Sequence, residues 1–295
     1  MELVDRWHSL ARAMEAHDEL NELVYREGLT PRMVNLLRLY KNYFHQLVPA
    51  IKMDTINRTL VRYPEYSSRL VEFFETKFDP DRQYDDRTET VDEARESLKR
   101  DLEDLDERTP YQILRRMLDF LATTVRTNCY QPDYPNANFE TPSFTVGNHK
   151  PYISVKIESG QLTQLIESSV RYEIFVYSPY MEAVHLRSGE IARGGIRWSD
   201  RRDDYRTEIA ELMETQKKKN ALIVPVGAKG GFILKEEYLP EETTLDEQAR
   251  QQYTTFMRGL LDLTDNILAG DVVTPPNLVT YDGDDPYLVV AADKG

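Results

Sequence analysis

Apolar residues in the first part of the chain recur at spacings of three and four, the period that gathers side chains on one face of a helix. Leu3 to Tyr25 carries this spacing. Thr30-Pro31 then offers a side-chain oxygen for an N-cap and a proline for the first helical position. Val34, Leu37, Tyr40, Phe44 and Leu47 extend the period along one face. Pro64 divides two further helices, Phe78-Asp79-Pro80 ends the second, and the polar run from Asp79 to Arg87 predicts a loop. Val91 to Glu107 has few apolar positions, which predicts a helix with a broad solvated face. A last helix of this region starts at Thr109-Pro110 and turns Ile113, Met117, Leu118 and Leu121 inward.

Gln131 to Pro142 holds three prolines among polar residues and reads as a connection. Beyond it the period changes. Tyr152 to Ile157 alternates, Tyr172 to Tyr177 is β-rich, and Val184 to Arg187 predicts a third strand before a Ser188-Gly189 turn. Asp203 to Lys218 places Tyr205, Ile209, Leu212, Met213 and Gln216 on one helical side. Ala221 to Val226 is wholly apolar, the mark of a strand covered on both faces. A later helix is expected from about Asp246 to Leu268. The pattern predicts an α/β protein: a helical region over residues 1–128, then an α/β domain with a mixed sheet over 129–295.

With 295 residues, 40% of them apolar and 30% charged, the chain can bury a sizeable core. No apolar run reaches the roughly 18 residues that span a bilayer, and the first residues do not begin a signal peptide. The one cysteine, Cys129, excludes an internal disulfide and a cysteine zinc site, and suits a reducing cytoplasm. Five scattered histidines lack metal-ligand spacing, so no metal is expected. A net charge of −14 argues against nucleic acid and anionic membranes as partners. The balance is uneven, however. His185 to Gly231 holds ten Lys and Arg against seven Asp and Glu, while the rest holds 27 against 44. A local basic excess in an acidic chain points to a small anionic ligand.

That basic stretch contains two glycine-flanked motifs. In Ala192-Arg193-Gly194-Gly195-Ile196-Arg197, glycines allow backbone N–H groups to approach a ligand and arginines meet carboxylate or phosphate; a plain β-turn with surface arginines is the competing reading. In Gly227-Ala228-Lys229-Gly230-Gly231, the lysine follows the apolar strand and is placed to serve as a base, against the alternative of an exposed hairpin lysine. Lys217-Lys218-Lys219 close a helix, where cations meet the dipole. Successive helical residues point about 100° apart, so one of the three faces back toward the sheet. Neither the P-loop spacing nor a G-x-G-x-x-G fingerprint occurs. Tyr281-Asp282-Gly283-Asp284-Asp285-Pro286 lacks the calcium-loop pattern and reads as an acidic turn.

Taken together, "HLRSGEIARGGIRWSDRRDDYRTEIAELMETQKKKNALIVPVGAKGGF" and "YDGDDPYLVVAADKG" resemble the substrate domain of the large bacterial NAD-specific glutamate dehydrogenases. "LTPRMVNLLRLYKNYFHQL" and "FETKFDP" are similar to the helical region before it. The resemblance implies oxidative deamination of L-glutamate to 2-oxoglutarate and ammonia, with hydride transfer to NAD, in a homo-oligomer. It places Arg193 at the first lysine of a K-G-G-x-R motif, with Gly194 and Gly195 beside it, and makes Arg193 and Lys219 the cations that grip the substrate carboxylates. Lys218 is the alternative to Lys219, because the interval to Lys229 is two residues shorter than in smaller relatives. Lys229 corresponds to the catalytic lysine, and Asp282 to the proton-transferring aspartate of a P-A-P-D motif, with Asp284 and Asp285 as rivals. The family's NAD-binding Rossmann domain has no counterpart here, so the resemblance describes a segment of a longer enzyme, inactive alone. The opposing expectation is a non-catalytic helical interaction or regulatory protein that keeps a decayed substrate domain.

Overall fold

The computed structural model describes residues 18–133, 149–166, 169–190, 192–220, 227–240 and 243–293. The expected strand Ala221 to Val226, most of the expected helix from Leu3 and most of the proline-rich connection lie outside them.

Among the described residues six α-helices come first: α1 (Glu22–Arg26), α2 (Pro31–Leu47), α3 (Met53–Arg62), α4 (Pro64–Phe78), α5 (Arg87–Glu103) and α6 (Arg108–Thr123). The cap read from Thr30 is present, its Oγ1 accepting from the Met33 N–H at 3.3 Å with Pro31 at the first helical position. Pro64 starts α4 directly after α3, because a proline fits a first turn but not a helix interior. Helix α5 begins four residues ahead of the expected Val91, capped by Asp86, whose side chain accepts from the Glu89 N–H.

The sheet strands are β1 (Thr124–Thr127), β2 (Ile153–Ile157), β3 (Tyr172–Ser178), β4 (Met181–Arg187), β5 (Ala192–Trp198), β6 (Ala228–Leu234) and β9 (Leu288–Ala292). They lie in the order β1-β2-β3-β4-β6-β5-β9. Neighbours are antiparallel from β1 to β6, then parallel through β6, β5 and β9, which makes the sheet mixed. β1 enters this sheet ahead of residue 129, where the sheet domain is expected to begin. Helix α7 (Tyr205–Asn220) lies in the crossover between the parallel strands β5 and β6.

Each face of the sheet has its own cover. Val155, Phe175, Val184, Leu186 and Ile233 join the core shared with α2 and α7. Ile174, Val176, Ala183, Ile196 and Phe232 pack instead with Phe256 and Leu260 of α8 (Leu245–Leu261). Tyr43 of α2 meets Phe120 and Phe175 edge-on at 5.2 and 5.4 Å, joining the helices to the sheet through one ring. Helix α8 stops short of the expected Leu268. The Asp262 carboxylate that follows it accepts from Asn128, Lys150 and Tyr152, and so turns the chain toward β2. The remaining residues form a hairpin of β7 (Asn266–Leu268) and β8 (Asp271–Val273), its turn made by Ala269 and Gly270 at positive φ.

The largest departure concerns the two glycine motifs. Both were expected as turns or ligand loops, and both are strands. Their glycines serve close packing: a Cβ at Gly231 would lie 2.5 Å from Ile209 Cδ1 of α7, and one at Gly194 would collide with the Ala228 carbonyl. Replacing Gly231 by Ala should therefore lower stability by about 1–3 kcal/mol in urea unfolding, the range for overpacking. Adding Ile209→Ala should make the double variant less destabilised than the sum of the two. Strict additivity would show that helix contact does not exclude a side chain there.

Candidate functional site

Cross-strand partners share a face, so pairing of Lys229 with Leu186 puts the lysine on the face covered by α7. Arg193, Gly195 and Arg197 alternate onto that same face of β5, since the intervening Ile196 belongs to the α8 side. The register Ile196 to Gly230 sets Gly195 level with Lys229. Arg193 is two residues further back, about 7 Å along the strand, and exposed.

Beyond β9 the chain completes this group with Asp293. Its N–H donates to the Ile196 carbonyl at 2.8 Å, and its carboxylate forms an ion pair with Lys229. Gly195 makes the room, because a Cβ there would come within 2.5 Å of Asp293 Oδ2. The Lys229 side chain is 16% exposed and that of Asp293 43%, so the pair is partly exposed rather than in the core. On the opposite face of the sheet, against α8, a cavity of about 370 Å³ reaches Asp293 and is lined by Trp198, Phe232, Arg250 and Tyr253. Arg197 faces Glu208 of α7 at 3.3 Å, and Glu208 in turn accepts from Ser199, which ties the end of β5 to the helix.

Helix α7 ends with the lysine run. Lys217 pairs with Glu214 at 3.3 Å and Lys218 is exposed. Lys219 occupies the last turn of α7, and its side chain lies outside the described atoms.

Asp282 is elsewhere. It accepts from Arg126 Nε at 2.6 Å and from Lys156. Asp285 accepts from Lys156 at 2.8 Å and from Arg187 Nη1 at 2.7 Å, while Asp265 holds the far edge of Arg126 at 2.8 and 3.0 Å. Lys156 pairs across the sheet with Ile174, which puts these charges on the α8 face. Three strand steps, about 14 Å, and the thickness of the sheet separate Asp282 from Lys229. Asp284 is exposed. The structure thus brings Arg193, Gly195 and Lys229 together and leaves Asp282, Asp284 and Asp285 apart from them. The aspartate beside the lysine is one the sequence reading missed. The signal was available: Val290-Ala291-Ala292-Asp293 keeps the alanine of P-A-P-D, which Val279-Thr280-Tyr281-Asp282 does not.

Burial would raise the Asp285 carboxyl, but the charges of Arg187 and Lys156 outweigh it and hold it below its ordinary value; Asp265 is likewise lowered, by hydrogen bonds from Arg126 and the Asp285 N–H. His185, wholly buried on β4 opposite Gly230 of β6, is pushed well below the usual histidine range by desolvation and then by Arg187.

Fold and site together are those of an α/β domain with arginines and a lysine–carboxylate pair on one face of its sheet. Comparison with known proteins supplies the family. Residues 97–295 match the family model described as bacterial NAD-glutamate dehydrogenase, catalytic domain, and residues 15–80 match glutamate dehydrogenase, helical motif 3. The chain belongs to the bacterial NAD-glutamate dehydrogenase family. It is 40% identical over 284 residues to the NAD-specific glutamate dehydrogenase of Halomonas elongata, and 42% over 284 residues to that of Pseudomonas aeruginosa, each alignment covering 95% of the chain. The Mycobacterium tuberculosis protein of the same name is 39% identical over 297 residues and 98% of the chain. The chain spans 17% of the length of each of these curated relatives. No described helix is long and apolar enough to cross a membrane.

Two outcomes test this assignment of the acidic residues. Asp282→Asn leaves Arg126 and Lys156 short of a buried counter-charge and should lower unfolding free energy by about 3–5 kcal/mol. Asp293→Asn, at the surface, should stay within about 0.5 kcal/mol. The reverse order would place the structural aspartate wrongly. For His185 the sign follows from its lowered value: the unfolded state takes up a proton near pH 6.5 that the folded state refuses, so stability falls as pH drops below that point. His185→Phe should flatten the slope of urea-derived stability between pH 6.5 and 5 by up to about 1.4 kcal/mol per pH unit; an unchanged slope would contradict the buried neutral imidazole.

Proposed function

We propose that this chain carries the glutamate-binding face of an NAD-dependent glutamate dehydrogenase, which deaminates L-glutamate to 2-oxoglutarate and ammonia. The observation that carries this reading is the Lys229–Asp293 pair on the strand face that also bears Arg193. Arg193, joined by Lys219 from the end of α7, holds the two substrate carboxylates; a dicarboxylate needs two fixed cations to define its orientation. Gly195 keeps β5 low enough for substrate and carboxylate to share the space above it, while Gly194 lets the Ala228 carbonyl come close. Lys229 Nζ polarises the water or carbonyl oxygen at the α-carbon. Asp293, in contact with that ammonium, passes protons to and from the nitrogen that leaves, the role expected of Asp282.

NAD is the acceptor in this reading. The described residues do not form its cradle: Gly194 and Gly195 lie within β5, paired with Val290 and Ala291 of β9, instead of at a strand-to-helix turn. We assign the cofactor to chain beyond these residues. Homo-oligomeric assembly and a cytoplasmic location belong to the same proposal, the latter supported by a single buried cysteine.

Calorimetric titration of the 295-residue chain with 2-oxoglutarate tests the site. We expect saturable binding that Arg193→Ala and Lys229→Ala each weaken at least about tenfold, equivalent to roughly 1.4 kcal/mol. In a full-length dehydrogenase of the family, Lys229→Ala should reduce kcat by about a hundredfold or more. Binding indifferent to both substitutions would refute the proposed face.

A further inference from the structure

A second cavity lies at the other end of the sheet, where the helical region meets β1, and the proposed chemistry makes no use of it. Its volume is about 160 Å³, and its walls come from α4, α5, the α6–β1 junction and Tyr281. Phe73, Val91, Ala122 and Val125 supply apolar surface, and Lys77 and Arg95 supply charge.

The two cations are unusual in what they lack. Lys77 is 4% exposed, and its ammonium donates to the Ala122 carbonyl at 2.5 Å and lies 4.8 Å from the Tyr281 ring centre. Arg95 Nε is buried without a hydrogen-bond partner. Among the described residues neither cation is ion-paired with a carboxylate, although buried charges are ordinarily paired. Burial first, and the Arg95 charge second, bring Lys77 down to about 7, against a smaller opposing effect of Asp92. Asp92 and Glu158 stand on the wall, and Glu158 accepts from Gln161. A guanidinium with an unpartnered Nε and an ammonium over an aromatic ring, on a recess whose apolar part is Phe73, Val91, Ala122 and Val125, form a receptor for a carboxylate with a short hydrocarbon tail.

We propose that this cavity binds a small monocarboxylate, with the carboxylate on Arg95 and Lys77 and the tail against Val91 and Val125. The volume sets the size. A cavity of about 150 Å³ holds a molecule of roughly six heavy atoms, which fits propionate or butyrate and excludes nucleotides. Because Tyr281 lines the cavity and opens the segment that runs through Asp282 and Asp285 into β9, an occupant here touches the segment that leads to Asp293.

Propionate titrated into the chain by calorimetry at neutral pH tests the site. One saturable site is expected, weakened at least tenfold by Arg95→Gln and unchanged by Lys229→Ala. Val91→Met, which fills the cavity and keeps both cations, should abolish the binding while circular dichroism stays that of the parent. Absence of saturable binding would overturn the proposal. So would binding lost in Lys229→Ala and kept in Arg95→Gln, which would move propionate to the substrate face. Phosphate binding more tightly than propionate, with the same dependence on Arg95, would replace the carboxylate site by one for inorganic oxyanions.

Discussion

Three buried cations and three buried carboxylates hold the segment around Asp282 against the sheet. Arg126, Lys156 and Arg187 come from β1, β2 and β4, and Asp265, Asp282 and Asp285 from the chain after α8. Taking such groups out of water is expensive, and the set is tolerable because every charge meets an opposite one. The consequence is positional. β9 follows three residues after Asp285, pairs with β5, and delivers Asp293 to Lys229. A network on one face of the sheet thus sets the carboxylate on the other.

The strands that receive this carboxylate are built around missing side chains. Gly194 and Gly195 on β5, with Gly230 and Gly231 on β6, remove Cβ atoms where a carbonyl, a carboxylate, Ile196 and Ile209 come close. Glycine in a strand usually weakens it, and is accepted where another group must approach. Here helix α7 and Asp293 both press onto the sheet at this point. The local basic excess of the sequence follows: Arg193, Arg197 and Lys229 line a face that, among the described residues, Asp293 and Glu208 partly neutralise.

Much of this was legible beforehand. Helical period and prolines placed α2, α3, α4 and α6 within a few residues, because caps and proline act locally. Alternation found β2 and β3. The glycine motifs misled, since Gly-Gly signals both turns and close strand packing, and only the neighbours decide. Arg193, Gly195 and Lys229, grouped through the family's motifs, share one face of the sheet. Asp282 was expected at the catalytic pair and sits in the ion network, because sequence cannot show which of several aspartates the sheet register carries to the lysine. The end of α8 was missed for a similar reason: Asp262 turns the chain through partners more than a hundred residues away.

The central claim is that Arg193, Lys229 and Asp293 form one substrate face. A crystal structure of the chain soaked with 2-oxoglutarate tests it most directly. The account predicts a carboxylate of the ligand against Arg193 and its keto oxygen within hydrogen-bond reach of Lys229 Nζ, beside Asp293. Ligand density lodged against Asp282 and Asp285, or on the α8 face with Lys229 still closed on Asp293, would contradict it.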